Sequence, residues 1–408
     1  MKRIAIVPVG YLPRIGGAEM VIHNLAIEHQ RAGCDVTVVP NLASVSIARH
    51  LPYRCVPMWR RAWSTAVADG SDSGGAASIR RGLRWRVALL QRLLRPQVWH
   101  LHAAYPLAWA MIDVIRRDLC VPVVVSSHGS DIYDIAGVAQ GRGPQFDHEI
   151  RRRIESTVRR ADGLIAFGPG VVDAYRAAGA DEEQIWLIPH GWDRSRVHAA
   201  RRHRDETRRR LGVTTDRVVL TVAADRPEKR IDDALAAAAT LKEPSAWTWV
   251  IATVGGRVAE EVARLELGGR VVVVEEPPFR GPDFENGLPR QSLLDLYAVA
   301  DLLVVPSAIE TAPTVVHEAF TSGCPVVANV DSAAGLIAHD RDGLIVDTSC
   351  PGKLVETLES LDSDPARLAR LRAGAQAHGS SFDDWEQVAR RHREVYDAVG
   401  LRFRSERR

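Results

Sequence analysis

The chain has 408 residues, of which 46% are hydrophobic and 25% charged, and its formal net charge at pH 7 is +2. This composition is typical of a folded globular protein and excludes an intrinsically disordered chain, a collagen or a disulfide-rich scaffold. The net charge is too small to attract nucleic acid, so no nucleic acid partner is expected. Because single domains rarely exceed about 250–300 residues, the length predicts two domains with a cleft between them.

No apolar segment reaches the ~18–20 residues that a membrane-spanning helix requires. Pro8, Gly10 and Pro13 interrupt the first apolar segment, which disfavours a signal peptide. The five cysteines are scattered and form no C-x-x-C pair, which is typical of a reducing compartment and predicts no zinc site. We therefore expect a cytoplasmic protein.

Short β-branched segments alternate with amphipathic helical segments along the whole chain. This order predicts an α/β protein with parallel sheets covered by helices on both faces. The pattern restarts after a hinge near residues 190–200, so the predicted domains are 1–195 and 196–384. A C-terminal helix is predicted within residues 385–408, and it can pack back on the first domain. The predicted strands are Arg3–Val9, Asp35–Pro40, Val98–Leu101, Val121–Ser126, Gly163–Phe167, Ile185–Ile188, Val218–Val222, Thr248–Ala252, Arg270–Val274, Leu302–Val305, Pro325–Ala328 and Gly343–Val346.

The first candidate site follows the first predicted strand, where Gly16 and Gly17 open a helix. Adjacent glycines let backbone N–H groups approach a ligand closely, and a helix N-terminus favours a phosphate. The pattern is not the G-x-G-x-x-G of a dinucleotide-binding fold. By themselves these residues predict either a phosphate contact or a tight turn without a ligand.

A second candidate is His128, within Ser127–Asp131 and directly after the apolar strand Val121–Val125. A histidine at the carboxyl end of a parallel strand is placed to meet a ligand in the cleft. The alternative is a solvent-exposed turn residue, and the other motifs favour the site. His100 and His102, near the end of an earlier strand, are assigned to packing.

A charged turn that contains Arg226 and Lys229 follows the first strand of the second domain. An arginine and a lysine in this position suit a diphosphate, because arginine binds oxygens with two N–H groups and lysine supplies a mobile point charge. The alternative is a solvated run of charges. Since Lys229 is one of only four lysines and follows a strand, we favour phosphate binding.

The most specific pattern lies in residues 306–318, where Pro313 is predicted at the first helical position. Glu310 precedes the helix, and Glu318 lies roughly 7 Å along the helix axis from Pro313. Two carboxylates so placed can accept hydroxyl groups at two points of one extended ligand, while amides at the helix start face its phosphates. A sugar at one end and a ribose at the other fit this pattern.

Taken together, these motifs resemble those of family 4 of the retaining glycosyltransferases over almost the whole chain. The resemblance implies the GT-B fold, with two facing Rossmann-like doubly wound parallel-sheet domains and an interdomain cleft. The motifs that carry it are Gly16-Gly17-Ala18-Glu19, His128-Gly129 after Val121–Val125, Ala161–Ile165, Ile188–Asp193, Glu310 and Glu318 with seven residues between them, Gly323–Val327 and Asp342–Leu344.

The resemblance also implies where the substrates bind, with a nucleotide-sugar donor in the second domain and an acceptor in the first. Glu318 would bind the ribose hydroxyls and Glu310 those of the donor sugar. Arg226 and Lys229 would neutralise the diphosphate, and His128 would touch the sugar near its reacting carbon. The donor would also contact Gly16, Gly17, Gly255, Thr311, Ala312, Pro313 and Thr314.

We therefore expect a cofactor-free retaining glycosyltransferase that moves a hexose from a UDP- or GDP-linked donor to an unknown hydroxyl acceptor. We also expect it to be metal-independent, since no D-x-D motif is placed to hold a divalent ion. Two alternatives stay open: an epimerase or hydrolase of the same fold, and an inactive protein that binds a nucleotide sugar. The charged turn is shorter than in the family, Arg230 replaces its final glycine, and Glu275–Arg290 replaces the loop that frames the base. The identity of the base is therefore open.

Residues 78–95 form a predicted basic amphipathic helix with Ile79, Leu83, Leu90 and Leu94 on one face. Some family members that act on lipid-linked acceptors bind anionic membrane surfaces through such helices. The alternative is that this apolar face packs on the sheet of the first domain, and we favour it. Peripheral membrane contact is the other open interpretation.

Overall fold

The structure, a computed structural model, describes residues 1–8, 10–12, 16–40, 48–58, 74–129, 132, 148–242, 245–276 and 280–407, with only the backbone described for residues 74–81 and 281. The chain divides into two compact units. Unit 1 comprises Met1–Gly191, Phe279–Leu288 and Trp385–Arg408, and unit 2 comprises Trp192–Pro278 and Pro289–Asp384. The inclusion of Phe279–Leu288 in unit 1 is not part of the boundaries expected from the sequence.

Unit 1 contains a sheet of seven parallel strands. They are β1 (Arg3–Pro8), β2 (Asp35–Val38), β3 (Arg54–Cys55), β4 (Val98–His102), β5 (Val123–Ser126), β6 (Gly163–Ala166) and β7 (Ile185–Leu187). Their order in the sheet is β3-β2-β1-β4-β5-β6-β7. The strands are short and rich in valine and isoleucine because helices bury both faces of the sheet.

Five helices are described in the part of unit 1 that precedes residue 192. They are α1 (Gly17–Arg31), α2 (Gly74–Leu94), α3 (Trp109–Asp113), α4 (His148–Arg160) and α5 (Pro169–Ala177), with single π-helical segments at Ala104–Ala108 and Val114–Asp118 on either side of α3. None of the helices within the described residues has the length and hydrophobicity to span a bilayer.

The predicted apolar face of α2 packs against unit 1, which is the interpretation favoured from the sequence. Leu83 and Leu90 are each 1% exposed in the hydrophobic core of unit 1, and Leu94 packs against that core. The side chain of Ile79 lies outside the described residues. Leu83, Leu90 and Leu94 therefore face the protein rather than the surface of α2.

Unit 2 contains a second sheet of six parallel strands. They are β8 (Arg217–Val222), β9 (Trp247–Thr253), β10 (Val271–Glu275), β11 (Leu302–Val305), β12 (Val326–Ala328) and β13 (Gly343–Ile345). Their order is β10-β9-β8-β11-β12-β13. The turns that follow the strands therefore emerge at one edge of the sheet, which we call the carboxyl edge of unit 2.

Nine helices of unit 2 are described: α6 (Arg194–Arg202), α7 (Arg204–Arg210), α8 (Ile231–Thr240), α9 (Arg257–Arg264), α10 (Gln291–Val299), α11 (Thr314–Thr321), α12 (Val330–Ala333), α13 (Pro351–Ser363) and α14 (Pro365–Ser380). α14 packs directly on α11. A Cβ atom at Gly379 of α14 would come within 2.1 Å of the Phe320 carbonyl oxygen, so only glycine permits this approach. The ring of His378 lies 4.8 Å from that of Phe320. These contacts hold α11 in place at the carboxyl edge.

The C-terminal helix α15 (Trp385–Ser405) belongs to unit 1 and packs on its sheet. Lys2 Nζ lies 2.6 Å from Asp397 Oδ1. A Cβ atom at Gly163 of β6 would come within 2.8 Å of a Val399 methyl group. The absence of a side chain at Gly163 thus makes room for the last helix.

The segment Phe279–Leu288 is attached to α1 within unit 1. The Asn24 side chain donates to the Leu288 carbonyl at 2.8 Å and accepts from the Leu288 N–H at 2.9 Å. Phe284 is fully buried, and His23 Nε2 lies 3.0 Å from the Asn286 carbonyl oxygen. The segment that replaces the expected base-framing loop is therefore anchored to the first helix of unit 1.

Candidate functional site

Two turns at the carboxyl edge of unit 2 are joined to each other. After β8 the chain forms one turn of 3₁₀ helix, Pro227–Lys229. Lys229 Nζ lies 2.5 Å from Glu310 Oε1, and the two side chains are only 25% and 11% exposed. The Ala308 N–H donates to the Glu228 carbonyl at 2.8 Å. The predicted phosphate-binding lysine and the predicted sugar-binding carboxylate thus form one ion pair.

Arg226 and Arg230 lie on either side of that turn. The guanidinium of Arg226 is 3.8 Å from Glu228 Oε1, and its side chain is 47% exposed. Within the described residues the ion pair of Arg226 is therefore with Glu228, whereas Lys229 pairs with Glu310. Arg230 has φ +52° and ψ +40°, a left-handed conformation that glycine adopts readily, at the position where the resemblance expects the final glycine of the charged turn.

Helix α11 begins at Thr314 rather than at Pro313. Pro313 has φ −66° and ψ +114°, so it is extended and precedes the helix, and its prediction as the first helical residue is wrong by one position. Thr311 is 7% exposed, and the Glu310 N–H donates to the Asp331 carbonyl at 3.3 Å. The first-turn N–H groups of a helix have no intrahelical acceptors, so Thr311–Thr314 lead into a backbone that attracts anions.

Glu318 carries a buried carboxyl in the middle of α11. Burial raises its pKa from an ordinary value near 4.5 to about 7, and the Tyr297 hydroxyl beside it offsets this rise only in part. Its Oε2 atom has no hydrogen-bond partner among the described residues. A buried acceptor without a donor is costly, so a ligand hydroxyl that donates to it would gain binding energy there.

The turn after β9 is fixed by an arginine that the sequence did not point to. The Arg257 guanidinium donates to both Asp225 carboxylate oxygens at 2.7 and 2.6 Å and to Asp232 Oδ1 at 3.0 Å. Gly255 has φ +103°, which a residue with a side chain rarely adopts. The arginine ties the turn after β9 to the turn after β8, and Gly255 permits the sharp bend between β9 and α9.

In unit 1 the predicted site residue His128 is hydrogen-bonded to His102. His128 Nε2 lies 2.7 Å from His102 Nδ1, and the His128 ring is 4.8 Å from that of Phe167. Burial lowers the pKa of His128 to about 3, so it is neutral at physiological pH. Ser130 and Asp131, the rest of the predicted motif, lie outside the described residues.

The glycines before α1 lie against a carboxylate. Gly16 is extended with φ −139°, and α1 begins at Gly17. A Cβ atom at Gly16 would be 2.9 Å from Glu19 Oε2, and one at Gly10 would be 3.0 Å from Glu19 Oε1. Both glycines therefore make room for the Glu19 side chain, which lies at the helix end that the sequence assigns to a phosphate.

Residues 15–196 match the family described as Glycosyltransferase Family 4, and residues 203–378 match the family described as Glycosyl transferases group 1. Two matched enzymes are both named D-inositol 3-phosphate glycosyltransferase. That of Thermobispora bispora is 37% identical over 313 residues, which cover 72% of this chain and 69% of that one. That of Rhodococcus opacus is 31% identical over 299 residues, which cover 71% of this chain but only 64% of that one.

The solved structure of Anabaena Alr3699/HepE in complex with UDP and glucose is similar in fold, with a TM-score of 0.73 and 19% identity over 97% of this chain and 100% of that one. The two parallel sheets and this similarity confirm the predicted α/β fold of the GT-B class. Given the two matched families and the named relatives, the chain belongs to glycosyltransferase family 4.

Proposed function

We propose that the protein is a metal-independent retaining glycosyltransferase that moves a hexose from a UDP- or GDP-linked donor to a hydroxyl acceptor. The observation that carries the proposal is the pair of carboxyl groups on either side of the start of α11. Glu310 is bound to Lys229, and Glu318 is buried with an oxygen that lacks a donor. One extended ligand with hydroxyl groups at both ends and a diphosphate between them matches this arrangement.

Each end of the donor has a partner in unit 2. The ribose hydroxyls donate to Glu318, whose ionised form is the better acceptor. The donor sugar hydroxyls donate to the Glu310 carboxylate. They replace part of the contact that this carboxylate makes with Lys229 in the absence of donor. Lys229 and Arg226 then balance the charge of the diphosphate, together with the amides that lead into α11.

The chemistry requires stabilisation of a leaving group. As the bond between the sugar and the diphosphate breaks, negative charge grows on the departing phosphate oxygens. Lys229, Arg226 and the α11 N-terminus are charges and dipoles fixed in advance, so they lower the energy of that transition state. His128 contacts the sugar beside the reacting carbon, and the acceptor hydroxyl attacks from the face that the leaving group occupies, which retains the anomeric configuration.

The names of the relatives support one acceptor class as the first to test. Because the matched enzymes are named for D-inositol 3-phosphate, a phosphorylated polyol is the first acceptor to test. Simple sugars and lipid-linked glycosides are the comparison set. The cytoplasmic location expected from the sequence stays a prediction.

The proposal predicts nucleotide release from UDP-glucose or GDP-mannose that needs an acceptor and persists in EDTA. The full chain is incubated with each donor, with and without D-inositol 3-phosphate or a panel of polyols, and NMR measures the anomeric configuration of the product. Equal rates with and without EDTA are expected. Nucleotide release at an equal rate without any acceptor would instead indicate a hydrolase, and a changed donor sugar without nucleotide release would indicate an epimerase. A product of inverted configuration would contradict the retaining mechanism.

A second part of the proposal is that α2 binds an anionic membrane surface through a face other than the one predicted. Trp85, Leu89 and Leu93 are 81%, 43% and 66% exposed. Their spacing of four residues places them in one stripe along the helix. Residues 78–95 also contain six arginines and no acidic residue. An exposed apolar stripe on so basic a helix suits lipid headgroups of negative charge.

We therefore predict that the protein sediments with vesicles of phosphatidylglycerol and phosphatidylcholine, but not with phosphatidylcholine alone. The triple substitution Trp85→Ser, Leu89→Ser and Leu93→Ser is expected to weaken this binding more than tenfold, since each inserted side chain contributes about 1.5–3 kcal/mol. The matched control is Leu401→Ser, which removes a leucine that is 64% exposed on α15. Unchanged sedimentation of the triple variant, or no dependence on the anionic lipid, would contradict the membrane contact.

A further inference from the structure

His102, the last residue of β4, is a buried histidine that the proposed chemistry does not use. It is 3% exposed, and its ring centroid lies 4.1 Å from that of His100 and 5.0 Å from that of His128. Its Nδ1 atom is 2.7 Å from His128 Nε2. Two nitrogens at this distance share one hydrogen, so each histidine determines which nitrogen of the other is protonated.

The surroundings of His102 decide which of the two donates. Burial holds the pKa of both His102 and His128 below the ordinary value, so both rings are neutral and carry one hydrogen each. His102 Nε2 is buried without a partner among the described residues. An N–H at that atom would leave a buried donor unsatisfied, whereas a lone pair there costs less. His102 therefore carries its hydrogen on Nδ1 and donates it to His128.

We propose that His102 is a positioning residue that holds His128 in the Nδ1–H tautomer and fixes the orientation of its ring. His128 Nε2 accepts the hydrogen of His102, so the single N–H of the neutral His128 ring is Nδ1–H. The proposal rests on the proposed function only for its effect on turnover. The tautomer itself is a property of unit 1 without any substrate.

His102 is itself held by the strand that carries it. Residues two apart on a strand face the same side, so His100 and His102 lie side by side. His100 Nε2 is 2.8 Å from Ser126 Oγ, and His100 Nδ1 is 2.8 Å from the Tyr396 hydroxyl of α15. Both nitrogens of His100 are thus bound, which gives His102 a rigid neighbour rather than a mobile one.

The first test is the tautomer of His128, measured by long-range ¹H–¹⁵N NMR on protein labelled with ¹⁵N-histidine and assigned with His128→Asn. We expect a neutral ring with hydrogen on Nδ1 only. In His102→Phe, which keeps a ring but removes the donor, we expect a mixture of the two tautomers. His102→Asn places an amide N–H near the former Nδ1 position and is expected to restore the single tautomer. Hydrogen on Nε2 in the native protein, or an unchanged His128 in His102→Phe, would overturn the proposal.

The second test is kinetic. His102→Phe is expected to lower kcat about ten- to hundredfold, with little change in KM for the donor. The reason is that a shift of about 1 Å in the position of the His128 ring beside the reacting carbon can lower the rate by roughly a hundredfold. His102→Asn is expected to recover most of kcat. An equal loss of kcat in both variants, with unchanged melting temperatures, would indicate a packing role and contradict positioning. No donor turnover by the native protein would instead refute the proposed function and leave the NMR result standing.

Discussion

Replacement of Glu318 by glutamine is expected to lower kcat/KM for the donor roughly a hundredfold or more and, at pH 8, to raise the melting temperature of the protein measured without nucleotide. The loss of turnover follows because glutamine offers the ribose one neutral acceptor in place of a carboxylate. Hydrogen bonds to charged groups contribute about 1.5–3 kcal/mol each, so two of them correspond to roughly a hundredfold or more in kcat/KM.

The gain in stability follows from the pKa of Glu318. Its pKa in the folded protein is about 7, above the ordinary value near 4.5 that it has when unfolded. A carboxyl group with a raised pKa stabilises the fold below its unfolded pKa, and this contribution is lost as the pH rises through the folded pKa. At pH 8 the buried charge therefore costs of the order of 3 kcal/mol, which glutamine removes. At pH 4.5 the gain is expected to be small.

Glu356→Gln on α13 is the matched control, because Glu356 is an exposed helical glutamate of the same unit. We expect it to change neither turnover nor the melting temperature. Glu318→Gln with undiminished kcat/KM would contradict the role of this residue in donor binding. The gain in melting temperature of Glu318→Gln over the native protein is expected to be larger at pH 8 than at pH 4.5. A smaller gain at pH 8 would contradict the buried charge.

Lys229→Ala is expected to lower kcat about 10²–10³-fold, the usual effect of removing one fixed charge from a developing anion. The protein is expected to stay folded, since the side chain is partly exposed and lies in a turn. The matched control is Lys242→Ala, because Lys242 is 84% exposed and also pairs with a glutamate, Glu359, at 3.3 Å. A kcat of Lys229→Ala within threefold of the native value would contradict its role in leaving-group stabilisation.

A double substitution separates the two possible tasks of Lys229. If Lys229 acted only by holding Glu310, Lys229→Ala would add nothing to Glu310→Gln, and the double variant would equal either single one. If each residue contacts its own part of the donor, the double variant is slower than both. We expect the second result, measured as kcat with a saturating donor.

The sequence predicted the sheets well, because short β-branched segments bounded by turns specify buried parallel strands. Leu302–Val305 was predicted to the residue, and the other predicted strands differ at their ends by one or two positions. β3 was not predicted because it has two residues and pairs only with β2. In the candidate site, the spacing of Glu310 and Glu318 indicated two binding points, but not the ion pair with Lys229.

The rest depends on contacts between residues far apart in the chain. The leucine pairs 89–90 and 93–94 give α2 two apolar stripes, and only the packing of the whole unit decides that Leu90 and Leu94 are the inner ones. His102 meets His128 because of the register between β4 and β5, which no local pattern encodes. The contact of Asn24 with Leu288 joins residues that are 264 positions apart.

The most direct test of the central claim is a calorimetric titration of the full chain with UDP and with GDP at pH 8, repeated with Glu318→Gln. The account predicts that the native protein binds at least one of these nucleotides at a single site, and that Glu318→Gln binds it at least a hundredfold more weakly. No heat of binding with either nucleotide, or equal affinity of the two proteins, would contradict it.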